Sequence, residues 1–312
     1  MKAVRITGYG GPEVLEVDEN TPAPTPKADQ LFVSVKSVSI NPFDLTLIKG
    51  FLKEKIPLEL PVTLGGDFSG VIAEQSPQVD GLKGGDEVFG QAIVLNGGSG
   101  SFAQECFVNK RNVALKPKNL SFEEAGALPL VGASAVQALT EHINLRPGQK
   151  ILIHGGAGGI GHVALQLAKA LGAFVAVTVR SDDIEFVRNL GADEVIDYKN
   201  QIFEDMLRGF DSVFDTVGGD ITTRSLPVVK KGGVIVSMKG IPDQKIASDY
   251  NIKTIGQATI TSTDRLNILT RFVENGKIKV HLAKTFSLDE VREAFSFFEN
   301  EHFTGKVALK VS

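Results

Sequence analysis

The chain has one cysteine, Cys106, in 312 residues. That excludes an intramolecular disulfide and fits a reducing compartment, with the cytoplasm as the default expectation. It has no excess of one charge either. Against 33 basic side chains stand 37 acidic ones, a formal net charge of -4, and they are spread without a long single-sign run. A polyanion ligand favours a clustered basic face, so a nucleic-acid partner is not expected. The densest basic pairs, Lys53 with Lys55 and Lys230 with Lys231, read as solvated surface. No stretch approaches the ~20 apolar residues of a membrane span, and the start, MKAVRITGYGG, lacks the apolar core of a signal peptide. Neither membrane attachment nor export is expected. The histidines, at 142, 154, 162, 281 and 302, include no pair four residues apart that would put two imidazoles on one helix face.

What is present is the balance of an ordinary globular protein, 42% apolar and 22% charged, long enough for two domains. Up to about residue 118 the chain shows short alternating runs, Leu31 to Val38 and Gly70 to Glu74, divided by turn signals such as NPFD at 41 to 44. This predicts a mostly antiparallel β region, with the TPAPTPKAD stretch at 21 to 29 as a connecting loop. Ser121 stands three residues before Glu124, the spacing of a helix capping box. From Lys150 short β-branched runs alternate with helical segments near 159 to 171, 183 to 190, 201 to 208 and 220 to 230. Such alternation predicts a parallel, doubly wound α/β sheet. The expected division is 1 to 120 and 265 to 312 in the first domain and 121 to 264 in the second.

Gly156, Gly158 and Gly161 form G-x-G-x-x-G directly after the apolar run ILI and before the helical HVALQLAKALGA. Three glycines alone carry little weight. Between a strand and a helix they are the dinucleotide-binding turn, which lets the backbone approach a pyrophosphate facing the helix's unpaired amides. An acidic residue at the end of the next strand would select NADH by bonding the ribose; that position holds Arg180. Its guanidinium suits the 2′-phosphate of NADPH, with Ser181 as a further donor. The competing reading pairs Arg180 with Asp182 or Asp183 on the surface. NADPH is favoured, with NADH as the alternative.

The order and spacing of several segments extend these signals. They are SINPFDLTLIKG (39 to 50), PVTLGGDFSGVIAE (61 to 74), AGALPLVGASAVQAL (125 to 139), ILIHGGAGGIGHVALQLAKALGA (151 to 173), LGADEVIDY (190 to 198), FDSVFDTVGG (210 to 219) and the tail GKVAL. With them nearly the whole chain resembles the zinc-independent quinone oxidoreductases of the medium-chain dehydrogenase/reductase superfamily. The resemblance implies a GroES-like β domain completed by the C-terminal tail, a Rossmann domain, and a nicotinamide site in the cleft between. It implies hydride transfer to quinones or small α,β-unsaturated carbonyls by a homodimer. It places Asn41 near nicotinamide and substrate, and Ser134 at a small hydroxyl position. Gly158, Gly159 and Ile160 fall at the pyrophosphate, Tyr198 at the adenosine phosphate, Val217 and Gly218 at the adenine and ribose side, and Lys306 beside the cofactor. As alternatives, Asn41 before Pro42 is also an ordinary turn residue, and Tyr198 a packing group.

Two positions depart from the pattern. Leu45 replaces a tyrosine that commonly follows NPxD, and Asp182 aligns with a lysine that pairs with the 2′-phosphate. Zinc is not expected, because Cys106 alone cannot build a site needing about four ligands, and Gly66 stands where the zinc enzymes carry a histidine. His162 is expected at the surface or beside the cofactor. Two other functions share these signals: a 2-enoyl thioester reductase, and a non-catalytic NADPH-binding sensor or RNA-binding protein.

Overall fold

The computed structural model of the protein describes residues 1–25, 29–76, 78, 81–241 and 244–311. Positions 26 to 28 of the expected 21 to 29 loop lie outside them. The strands are β1 (Ala3–Ile6), β2 (Leu15–Asp18), β3 (Gln30–Ser39), β4 (Val62–Thr63), β5 (Asp67–Ile72), β6 (Glu87–Gln91), β7 (Glu105–Asn109) and β8 (Val113–Leu115), then β9 (Lys150–His154), β10 (Phe174–Val179), β11 (Glu194–Asp197), β12 (Phe210–Asp215), β13 (Val229–Ser237) and β14 (Lys253–Gly256), and last β15 (Leu282–Ser287) and β16 (Lys306–Lys310). The α-helices are α1 (Pro42–Ile48), α2 (Phe122–Gly126), α3 (Pro129–Val136), α4 (Gly159–Ala170), α5 (Ile184–Asn189), α6 (Phe203–Met206), α7 (Asp220–Arg224), α8 (Gln244–Asp249), α9 (Thr263–Glu274) and α10 (Val291–Asn300).

Two compact units result. The first comprises Met1–Leu130, Thr261–Glu274 and Val280–Ser312; the second comprises Val131–Ile260 and Asn275–Lys279. The first holds the small sheet β2-β1-β4 and a larger sheet ordered β15-β16-β3-β5-β6-β8, with β7 also on β3. Its pairings are antiparallel except β15 with β16. The tail pairs with this region: Ala308 lies opposite Ser39. β3 is buried along most of its length rather than on alternate residues, because it is an interior strand covered by α2.

The second unit is a six-stranded parallel sheet ordered β11-β10-β9-β12-β13-β14. Numbered from β9 this is the dinucleotide-binding order, and it reverses between β9 and β12, where such sheets take their ligands. Residues 151 to 154 of β9 are buried on both faces, which explains an unbroken apolar run where a half-covered strand would alternate. α4 ends in a Schellman turn. Gly172 has φ of +83°, its N–H bonds Lys169 O, and Ala173 N–H bonds Ala168 O.

Several boundaries differ from expectation. The capping box forms, with Glu124 N–H on Ser121 Oγ at 3.1 Å and Ser121 N–H on Glu124 Oε2 at 2.9 Å. The helix it starts, α2, nevertheless groups with the first unit, packed on β3 and β5. Conversely Asn275–Lys279 joins the second unit, where Gln166 donates to Lys279 O and accepts from Lys279 N–H. The expected helix at 201 to 208 shortens to α6, because Ile202 and Leu207 are extended. The segment from 220 breaks after α7 into a short 3-10 turn carrying Pro227, whose missing N–H cannot extend an α-helix.

Candidate functional site

The glycine loop is built by three contacts of different kinds. Gly155 has φ of +75°, and its N–H and that of Gly156 both reach Thr178 O on β10, at 3.2 and 3.1 Å. A Cβ on Gly156 would fall 2.8 Å from Val177 Cβ, and one on Gly161 only 2.0 Å from Gly155 O. Those two glycines therefore serve packing within the turn. Gly158 differs: its nearest neighbour would be Gly155 O at 3.4 Å, so its outer side is open. It is the N-cap of α4 and has no side chain to cap it. The first return bond is His162 N–H to Gly158 O, and the N–H groups of Gly159, Ile160 and Gly161 find no acceptor among the described residues. Unspent amides at the positive end of a twelve-residue helix suit a pyrophosphate.

Beneath this turn lies a buried imidazole. His154 Nδ1 is 3.0 Å from Thr178 Oγ1 and Nε2 is 2.9 Å from Ser225 Oγ. Ser225 donates to Ile221 O at 2.7 Å, so it accepts from Nε2–H, and Nδ1 accepts from Thr178. Burial holds this imidazole down, to about 4, against the pull of Asp215, so it is neutral. Its own carbonyl accepts Thr216 Oγ1 at 2.7 Å, which ties the glycine loop to the loop after β12. There Asp215 accepts the N–H of Val217 and Gly218 at 2.8 and 2.9 Å, and also the Thr222 hydroxyl. Val217 is exposed. The switch point is thus bordered by two shaped loops.

At the end of β10, Arg180 is half-buried; its carbonyl accepts Asp183 N–H at 3.0 Å, while its guanidinium enters no hydrogen bond or ion pair among the described residues. The surface pairing with Asp182 or Asp183 does not form: Asp182 is exposed and Asp183 buried. The Ser181 hydroxyl instead donates to Asp197 at 2.6 Å. Asp197 also takes Asn200 Nδ2 and Lys199 N–H, and these donors hold its carboxyl below the usual range. Tyr198 is exposed, with the Lys199 ammonium over its ring, so it is not a packing group. Ser134 is buried with its hydroxyl 2.7 Å from Thr259. His162 is fully buried, which corrects the surface expectation: its Nδ1–H bonds Gly158 O at 3.0 Å, one turn back at the N-cap of α4.

In the first unit Asn41 is buried at the start of α1. Its Oδ1 accepts from Lys306 Nζ at 2.6 Å, and its Nδ2 donates to Asp67 Oδ2 at 2.9 Å. Lysine can only donate and carboxylate oxygen accepts, so the amide has one permitted orientation. Lys306 also donates to Ile40 O at 2.9 Å. Asp67 further accepts from Leu130 N–H at 3.1 Å and Gln91 Nε2 at 3.4 Å. Burial pushes Asp67 up and Lys306 down. Asp44, which takes Asn41 N–H at 2.8 Å, is raised by burial to about 7. Cys106 is buried and its thiol pushed up, an unreactive group. Among the described residues no three His, Cys, Asp or Glu side chains gather as a metal site. Sequence reading missed His154, Asp67 and Asp215; a polar residue at the end of a mostly apolar strand was the available signal for each.

Residues 27–118 match the alcohol dehydrogenase GroES-like domain and residues 190–309 the zinc-binding dehydrogenase family. Over 318 residues the chain is 38% identical to 2-methylene-furan-3-one reductase of Solanum lycopersicum, covering 99% of this chain and 79% of that protein. The protein belongs to the medium-chain dehydrogenase/reductase superfamily. Within the superfamily it is also 35% identical, with the same coverage, to the chloroplastic NADPH-dependent alkenal/one oxidoreductase of Arabidopsis thaliana. Among solved structures it is similar to the quinone oxidoreductase from Coxiella burnetii. The TM-score is 0.89 at 31% identity, over 100% of this chain and 99% of that one. No helix among the described residues is long and apolar enough to cross a membrane.

Proposed function

We propose that this oxidoreductase uses NADPH to reduce small α,β-unsaturated carbonyls and quinones, without zinc. The observation that carries the reading is the set of unspent amides at Gly159, Ile160 and Gly161, a fit to the cofactor's pyrophosphate. Gly156, Gly158 and Gly161 are assigned to that cradle, Val217 and Gly218 to the adenine and ribose side, and Ser134 to the cofactor through its hydroxyl position. Arg180, whose guanidinium has no partner among the described residues, is assigned to the 2′-phosphate beside Tyr198. Ser181 acts through Asp197. Relatives named for alkenals and for a methylene-furanone support an enone as the acceptor.

The bound cofactor supplies a hydride to the electron-poor carbon of the conjugated system, and the electron pair moves to the carbonyl oxygen. The chain's task is to hold the reactants and stabilise that oxygen. Asn41 is assigned the donor role, with the proton on carbon supplied by water. The donor set argues for zinc independence: Cys106 is buried, and Asn41 and Lys306 bond each other. A reducing compartment, the cytoplasm by default, and a homodimer joined along the β14 edge complete the proposal. A monomer in sedimentation would remove the dimer.

A substrate panel tests the function. NADPH consumption with small enones and quinones is expected. Consumption with crotonyl thioesters alone, or tight NADPH binding without turnover of any acceptor, would overturn it.

A further inference from the structure

Asn41 carries two hydrogens on Nδ2, and Asp67 takes one. No second acceptor stands against Nδ2 among the described residues, although Asn41 is buried. The other end of the amide is gripped by the Lys306 ammonium. A cation on the carbonyl oxygen and a carboxylate on the amide N–H pull electrons the same way, from nitrogen towards oxygen. The pull of the cation makes the unspent N–H a better donor, and the carboxylate on the other N–H fixes which way the amide faces. Both partners are fixed. Lys306 is anchored on Ile40 O and Asp67 by Leu130 N–H and Gln91.

This arrangement is expensive for stability alone. Taking an ammonium and a carboxylate out of water costs several kcal/mol for each ion, and here they do not even touch, since an amide separates them. An apolar trio would pack the same space. From the geometry we infer that Lys306 and Asp67 are positioning residues: the cation polarises the Asn41 amide and the carboxylate orients it, so that its unspent N–H is held ready for the substrate oxygen that gains negative charge. The inference rests on the donor role assigned to Asn41. It adds that the role depends on a buried cation and anion acting through the amide, a device that substitutes for a stronger electrophile.

A double-mutant cycle separates the two claims, with 2-cyclohexenone and NADPH as probes and thermal melting and NADPH affinity as folding controls. Asn41→Ala is expected to lower kcat about 100-fold, the scale of losing one oxyanion donor. Lys306→Met is expected to lower kcat about 10-fold while NADPH affinity stays within about twofold, because only polarisation is lost. In the Asn41→Ala background Lys306→Met should cost nothing more. Full activity in Asn41→Ala would defeat the donor role itself. An impaired Asn41→Ala with Lys306→Met either silent or fully multiplicative would defeat the inference alone. If Lys306→Met does not fold, Lys306→Gln keeps a donor without the charge and carries the same expectation of non-additivity.

Discussion

His154 sits one residue before the glycine loop, enclosed by Thr178, Ser225 and the edge of the Phe203 ring. Burial holds it to about 4, so between about pH 6.5 and pH 4 the unfolded chain takes a proton that the folded one refuses. Stability is lost as pH falls through that window, by about 3 kcal/mol in all. Asp44 works in the opposite sense. Raised to about 7, it keeps in the fold a proton that the unfolded chain releases above about pH 4, and stability is lost as pH rises. The two slopes oppose, so single variants expose them. Urea unfolding across this range should show His154→Gln losing the acid-side decline and Asp44→Asn losing the alkaline-side one; an unchanged slope in either variant contradicts the assignment. Arg180→Glu tests a third residue. Wild type is expected to prefer NADPH over NADH, and the substitution to abolish that preference at a cost on the order of 100-fold in NADPH affinity. No preference in wild type would refute the role.

How much of this was legible depends on sequence distance. The glycine spacing and the position of Arg180 were readable because strand, turn and helix follow each other directly. Asn41 and Asp67 are 26 residues apart, and Asn41 and Lys306 are 265 apart, and only the pairing of β16, β3 and β5 brings them together. Ser181 was misjudged as a free donor for the same reason. Its acceptor, Asp197, is 16 residues on, at the end of the neighbouring strand.

At the scale of elements, the strand-turn-helix of β9, the loop and α4 assigns its glycines unequal burdens. In Gly161→Ala the new methyl would meet Gly155 O at 2.0 Å, a backbone atom that cannot step aside. Lost NADPH binding and destabilisation by about 2 kcal/mol or more are expected. Gly158→Ala should fold normally, because its φ of -74° suits any residue and its nearest contact is ordinary. Its methyl should weaken NADPH binding alone, by intruding where the pyrophosphate must approach. Thermal melting beside NADPH titration separates the pair, and equal melting losses in both would contradict the division of roles. The helix boundaries that sequence patterns misplaced, at α6 and after α7, are those set by extended flanks and by Pro227. Periodicity does not report either feature.

At the scale of the whole molecule, the two units divide the work proposed here. The parallel sheet carries the dinucleotide cradle, and the β unit carries the buried Lys306, Asn41 and Asp67 trio. The sequence was most informative at this scale, since the change from alternating to continuous apolar runs marks where one kind of sheet gives way to the other. It was least informative about where the chain crosses between units, because α2 looks like the opening of the second and packs in the first. The central claim is hydride transfer from NADPH to a conjugated carbonyl. Its most direct test is to supply NADPH deuterated at the transferable position with a small enone, and to analyse the product by mass spectrometry. The account predicts a single deuterium on the carbon β to the carbonyl. A reduced product free of that deuterium, or no product while NADPH is bound, would contradict it.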